Sequence, residues 1–204
     1  MTLARGDVLL AGVGGQGTVL ASEVLGEAFL LSGYDVKKSE VHGMAQRGGA
    51  VTTHLRFGPK VYSPLIEPGR ADLLVAFEKI EALRFAHYLR PGGCMVVNAQ
   101  EIFPPSVATG QERYPADVTE RLAAVTDRLF LVDALAAALS LREVRAVNMV
   151  MVGAASHLLP LPEEAYERAL KENLPERIVA VNVDAFRTGR SLLSPASLRA
   201  AGKW

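Results

Sequence analysis

Gly12-Val13-Gly14-Gly15-Gln16-Gly17 is the stretch whose residue types and spacing are most ready for chemistry. It matches the G-x-G-x-x-G pattern and lies between a short apolar run and a helical one. Glycine permits a sharp turn, lets a backbone approach a pyrophosphate, and leaves helix N–H groups pointing at an anion. Glu40 follows about 20 residues later, where an acid can bind a ribose in a dinucleotide site. The alternative is purely mechanical: glycines that turn the chain and pack a helix on a sheet.

A second candidate is the segment Glu40-Val41-His42-Gly43-Met44-Ala45-Gln46-Arg47-Gly48-Gly49. It is too polar and glycine-rich for a core, so it is expected to meet a ligand or a partner. Within it, His42 sits beside Gln46 and Arg47. Arg47-Gly48-Gly49 offers a guanidinium and adjacent amides to a carboxylate or phosphate, or Arg47 forms a salt bridge at a subunit interface. Glu78 ends an apolar run and faces either a ligand crevice or the dipole of the next helix. The other histidines, His54, His87 and His157, lie far apart without metal-ligand spacing and are read as packing or surface residues.

These segments need a scaffold, and hydrophobic periodicity supplies one. Asp7–Ala11 reads as a strand buried on both faces, Val19 to Leu31 as a helix stopped at Ser32-Gly33, and Val36–Ser39 as a second strand. Val51, Thr53, Leu55 and Phe57 alternate with Thr52, His54 and Arg56, predicting a strand with one wet face, at an edge or in a hairpin. Leu73–Phe77, Cys94–Asn98 and Leu129–Val132 are further strands. A helix carries Ile80, Leu83 and Leu89 and closes at Pro91-Gly92-Gly93; others span Val118–Val125 and run from Asp133 to Leu139. From about Val144 the tail reads as all helical, with starts at Pro162 and Pro175 and a C-cap at Gly189. The fold expected is α/β and Rossmann-like: a mainly parallel sheet with helices on both faces and a helical C-terminal tail, one domain over 1–204.

Composition narrows the function classes. Lys plus Arg and Asp plus Glu number 22 each, which argues against nucleic-acid or membrane-surface binding. A lone cysteine, Cys94, cannot ligate an iron–sulfur cluster or form an internal disulfide. No metal site is expected. With no signal peptide and no membrane-spanning apolar run, the chain is expected in the cytoplasm.

The glycine turn taken together with Ser39–Gly49, Ala71–Glu78 and the late helix around Asn148 resembles the small (beta) subunit of indolepyruvate:ferredoxin oxidoreductase. More broadly the chain is similar to the gamma subunits of the 2-oxoacid:acceptor oxidoreductases. That resemblance implies a two-subunit enzyme that oxidatively decarboxylates arylpyruvates to aryl-acetyl-CoA and passes electrons to ferredoxin. In such enzymes the large (alpha) subunit carries thiamine diphosphate with magnesium and the iron–sulfur clusters, and CoA is a co-substrate. This chain would bind none of those cofactors alone. Ligand- or interface-binding residues would then be Gly12, Gly14, Gly15, Gln16, Gly17, Glu40, His42, Gln46, Arg47, Gly48 and Gly49, with no catalytic residue assignable. Two other readings stay open: a stand-alone NAD(P)- or flavin-dependent oxidoreductase, and a regulatory module that binds a nucleotide or CoA.

Overall fold

The computed structural model describes residues 4–42, 49–103 and 105–193. Gln46, Arg47 and Gly48, and the side chain of His42, lie outside the described parts.

Apolar runs form the strands β1 (Gly6–Val13), β4 (Ala71–Ala76), β5 (Leu89–Asn98) and β6 (Leu129–Val132). They lie side by side and parallel. β2 (Asp35–His42) and β3 (Ala50–Gly58) complete a six-stranded sheet of order β2-β3-β1-β4-β5-β6. β3 runs antiparallel to both β1 and β2, so β2 again points the same way as β1.

Alternate residues of each strand feed opposite cores. Val8 and Leu10 meet one helical layer; Leu9 and Ala11 meet the other. On the first face pack α1 (Thr18–Leu31), α5 (Ala134–Ser140), α6 (Val147–Ser156), α7 (Glu163–Asn173) and α8 (Glu176–Leu192). On the second lie α2 (Lys79–Phe85) and α4 (Val118–Val125). A one-turn helix, α3 (Pro105–Ala108), joins β5 to α4.

The α6 helix is apolar on every side because it is enclosed on every side. Every residue from Asn148 to Ser156 is buried, and the helix lies between the sheet and α8. Two glycines let α6 and α8 touch backbone to backbone. A Cβ on Gly153 would meet the Phe186 carbonyl oxygen at 2.0 Å, and one on Gly189 would meet that of Val150 at 1.9 Å. Gly189 is therefore an interior contact of α8 rather than the expected C-cap.

Three other expectations are corrected. β3 lies not at an edge but in a hairpin with β2, inserted beside β1, and the face expected to be wet is mostly covered, with Thr52 and His54 buried and Arg56 partly exposed. β2 runs on through Glu40 to His42, pairing His42 with Val51, so the strand extends further than its polarity suggests. Leu89 opens β5 rather than closing α2. The Pro91-Gly92-Gly93 stretch falls in an irregularity of the β4–β5 ladder, where Ala71 pairs with Leu89 but Leu73 pairs with Cys94.

Candidate functional site

The glycine turn stands at the carboxyl end of β1, and each of its residues has a distinct task. Gly12 has no room for a side chain: a Cβ would meet Thr18 Oγ1 at 2.8 Å and Phe77 Cβ at 3.1 Å. Gly14 donates its N–H to the Gly49 carbonyl at 2.9 Å, pinning the far end of the 40–49 segment to the turn. Gln16 braces the turn from inside. Its Oε1 accepts from the Val13 N–H at 2.7 Å, and its Nε2 donates to the Phe77 carbonyl at 2.8 Å. Both ends of its amide are thereby spent on backbone.

Gly17 sits in the left-handed region, φ +78°, and a Cβ there would meet Asn148 Nδ2 at 2.6 Å. Gly15 also has positive φ, +102°, but nothing lies within 4 Å of where its Cβ would be. Packing and turning thus account for Gly12 and Gly17, while Gly15 forms the open crest.

That crest separates two depressions. One, of about 300 Å³, is bordered by Gly14, Gly15, Thr18 and Val51. The other, of about 260 Å³, is bordered by Gly15, Gln16, Gln100, Ile102, Leu135 and Arg145. The first turn of α1 carries no acidic residue and no side-chain cap. Its leading N–H groups therefore keep their partial positive charge toward the turn, a setting that favours an anion. Thr18 Oγ1 is buried beside them without a hydrogen-bond partner.

Glu40 lies elsewhere. It faces Thr53 on the edge strand β2 and forms an ion pair with Lys38 at 2.8 Å. In a dinucleotide site the ribose-binding acid ends the strand next to β1. Here β3 occupies that position, which removes the geometry for that role.

Glu78 is nearly fully buried and caps α2, accepting from the Glu81 N–H at 2.9 Å and the Tyr114 hydroxyl at 2.7 Å. Burial beside this carboxylate pushes the Tyr114 phenol well above its usual range. The helix-dipole role is the one the geometry supports. His54 accepts from the Ile66 N–H at 3.1 Å through Nδ1, and burial pushes its pKa below 6.5. His87 and His157 donate to the Arg84 and Arg190 carbonyls.

Sequence reasoning missed Asn98, which closes β5 much as Glu78 follows β4. Its Nδ2 donates to the Phe77 carbonyl at 3.2 Å and its Oδ1 accepts from the Ala134 N–H at 3.3 Å. A polar residue ending an apolar strand was the available signal. Nothing local marked Asn148 as the partner of Gly17, since the two meet only through the packing of α6 on α1. Among the described residues no group of three or more His, Cys, Asp and Glu could hold a metal ion, and Cys94 is a single buried thiol. An iron–sulfur cluster finds no ligand set in these residues.

A six-stranded, mainly parallel sheet of this order, with helices on both faces and a braced glycine turn, defines an α/β domain. The family model for pyruvate ferredoxin/flavodoxin oxidoreductase matches residues 7–192. The chain belongs to this family and is an oxidoreductase subunit. It is 38% identical over 189 residues to the indolepyruvate oxidoreductase subunit IorB of Archaeoglobus fulgidus, covering 91% of this chain and 94% of that one. To the IorB of Thermococcus kodakarensis it is 36% identical over 188 residues, covering 90% and 93%. The fold is also that of the keto/oxoacid ferredoxin oxidoreductase gamma subunit from Geobacter sulfurreducens PCA, with a TM-score of 0.69, 22% identity and coverage of 92% and 97%.

Proposed function

We propose that this chain is the small subunit of a 2-oxoacid:ferredoxin oxidoreductase whose substrate is an arylpyruvate of the indolepyruvate kind. The observation that carries the reading is the similarity to indolepyruvate oxidoreductase subunits along nine-tenths of the chain. The glycine turn, tied through Gly14 to Gly49, supports a site assembled with another subunit. We assign the turn and Gly49 to one wall of that site, with His42, Gln46, Arg47 and Gly48 as candidate ligand- or interface-binding residues. The large subunit supplies thiamine diphosphate, magnesium and the iron–sulfur clusters, and CoA enters as co-substrate. Electrons leave to ferredoxin through the complex, in the cytoplasm. No described helix is long and apolar enough to cross a membrane.

On this reading the chain itself positions and encloses. The free N–H groups at the start of α1 and the open crest at Gly15 attract an anionic group of a ligand, and Gln16 and Asn148 keep the turn rigid. The stand-alone dinucleotide reading is not favoured, because β3 separates Glu40 from β1.

Co-expression with the large subunit tests this. The complex should reduce a one-electron acceptor only when indolepyruvate and CoA are both present. A large subunit equally active alone, and unaffected by added small subunit, would overturn the assignment. Ligand binding without turnover in the reconstituted complex would instead favour a regulatory module.

A further inference from the structure

A further cavity lies beyond Arg145 from the glycine turn, bordered by α1, α6 and α8, and has a volume of about 400 Å³. That size falls within the range of small-molecule sites, about 300–1,000 Å³. Ile178 and Val181, one helical turn apart on α8, and Leu20 from α1 give it an apolar side.

The polar side is unevenly satisfied. Arg145 is tied to Glu143 at 3.1 Å. Arg177 also borders the cavity, and its guanidinium makes no ion pair or hydrogen bond with the described residues. Arg145 is mostly exposed and paired with Glu143, so Arg177, at the exposed rim, carries the guanidinium left without a carboxylate among the described residues. Asn182 is 7% exposed, and its Nδ2 is committed to the Ile178 carbonyl at 2.8 Å. Its Oδ1 accepts nothing from the described residues, although the residue lines the cavity. Asn148 differs: its Oδ1 takes the Met149 N–H at 3.0 Å and its Nδ2 leans on the Gly17 carbonyl at 3.4 Å.

An amide oxygen open to the cavity and unclaimed by the described residues, an unpaired guanidinium and an apolar wall are complementary to features in one ligand. We propose that this cavity binds a small organic carboxylate with an apolar body and one N–H or O–H donor. The carboxylate meets Arg177, with Arg145 beside it; the apolar body lies on Leu20, Ile178 and Val181; the donor bonds Asn182 Oδ1. The site is distinct from the glycine turn and does not depend on the oxidoreductase reading, because its occupancy is measured on the chain alone without turnover.

The test is a titration of the isotope-labelled full chain, followed by amide NMR, with three probes. Indole-3-acetate has the carboxylate and the N–H donor, 1-naphthaleneacetate lacks the donor, and indole-3-acetamide lacks the charge. Indole-3-acetate should give saturable shifts at Leu20, Ile178, Val181 and the Asn182 side chain, with a Kd of about 1 mM or tighter. Arg177→Gln, at an exposed position, should weaken it about tenfold, and indole-3-acetamide should bind wild type about tenfold more weakly. Asn182→Leu should bring indole-3-acetate down to the level of 1-naphthaleneacetate and leave the latter unchanged. Shifts that do not saturate or that scatter over the surface, or equal binding of the amide and the acid, would overturn the proposal. Should Asn182→Leu not fold, Arg177→Gln and the amide probe still decide it.

Discussion

Gly17 and Asn148 meet backbone to side chain across the junction of α1 and α6, so closely that a Cβ on Gly17 would lie 2.6 Å from Asn148 Nδ2. The contact fixes the start of α1, and with it the glycine turn, against the buried α6. Substituting Gly17→Ala adds both this clash and a side chain at φ +78°. It should cost about 2–4 kcal/mol, combining left-handed strain with overpacking. Urea unfolding of Gly17→Ala, Asn148→Ala and the double variant should show strong coupling, with part of the Gly17→Ala cost recovered in the double variant. Strictly additive costs would mean the two residues do not sense each other.

Gln16 has both amide ends committed, to the Val13 N–H and the Phe77 carbonyl. Gln16→Ala should lower stability by about 1–3 kcal/mol. Gln16→Glu should be worse at neutral pH, because a carboxylate would face the Phe77 carbonyl with no proton to donate, and should recover on acidification. A Gln16→Glu variant as stable as wild type across pH 5–8, measured by urea midpoint, would contradict this bracing role.

The α6–α8 crossing gives a sharper steric test. Gly153→Ala and Gly189→Ala each drive a methyl into a backbone carbonyl that no rotamer change can move aside. Each should cost at least about 3 kcal/mol, lowering Tm by about 6–12 °C in a chain of this size. Calorimetry reads this directly. An alanine at either position that leaves Tm unchanged would show that the helices do not cross there.

His54 provides the pH dependence. Burial lowers its pKa below 6.5, so the folded chain holds fewer protons on this ring than the unfolded chain does as acid is added. The contribution is complete above pH 6.5 and is lost as pH falls from there through the lowered folded value. Protonation also removes the Nδ1 acceptor from the Ile66 N–H. Glu81, whose pKa burial raises, acts in the opposite direction, so the difference between wild type and a variant is the quantity to follow. His54→Asn keeps an acceptor and removes the titration. It should be less stable at neutral pH and show a shallower fall between pH 7 and pH 5. An unchanged slope would rule out His54 as the source.

The sheet and the glycine turn were legible in the sequence, and residue by residue the reasons differ. Positions such as Val8, Leu10 and Val75 are buried because an apolar run between glycines and polar residues has no other stable state than a covered strand. The glycine turn was legible for a similar reason, since glycine takes the φ of +102° and +78° found at residues 15 and 17 without the strain a side chain adds. Gln16 was read as a ligand- or interface-binding residue, and its bracing task was not legible because its partner Phe77 follows a distant strand, β4. The alternation in β3 was misread because periodicity reports two unlike faces, not how wet each one is. Thr52 and His54 are polar enough to suggest solvent, yet they are covered once the strand is inserted between β1 and β2.

The sequence by itself therefore determined the succession of strands and helices and the glycine turn, because these depend on local sterics and on the period of apolar residues. Only the tertiary structure decided that β3 separates Glu40 from β1, that Gly17 rests on Asn148, and that Gly189 lies inside a helix crossing. Each of those is a contact between distant segments, set by how whole faces pack rather than by any residue's own preference.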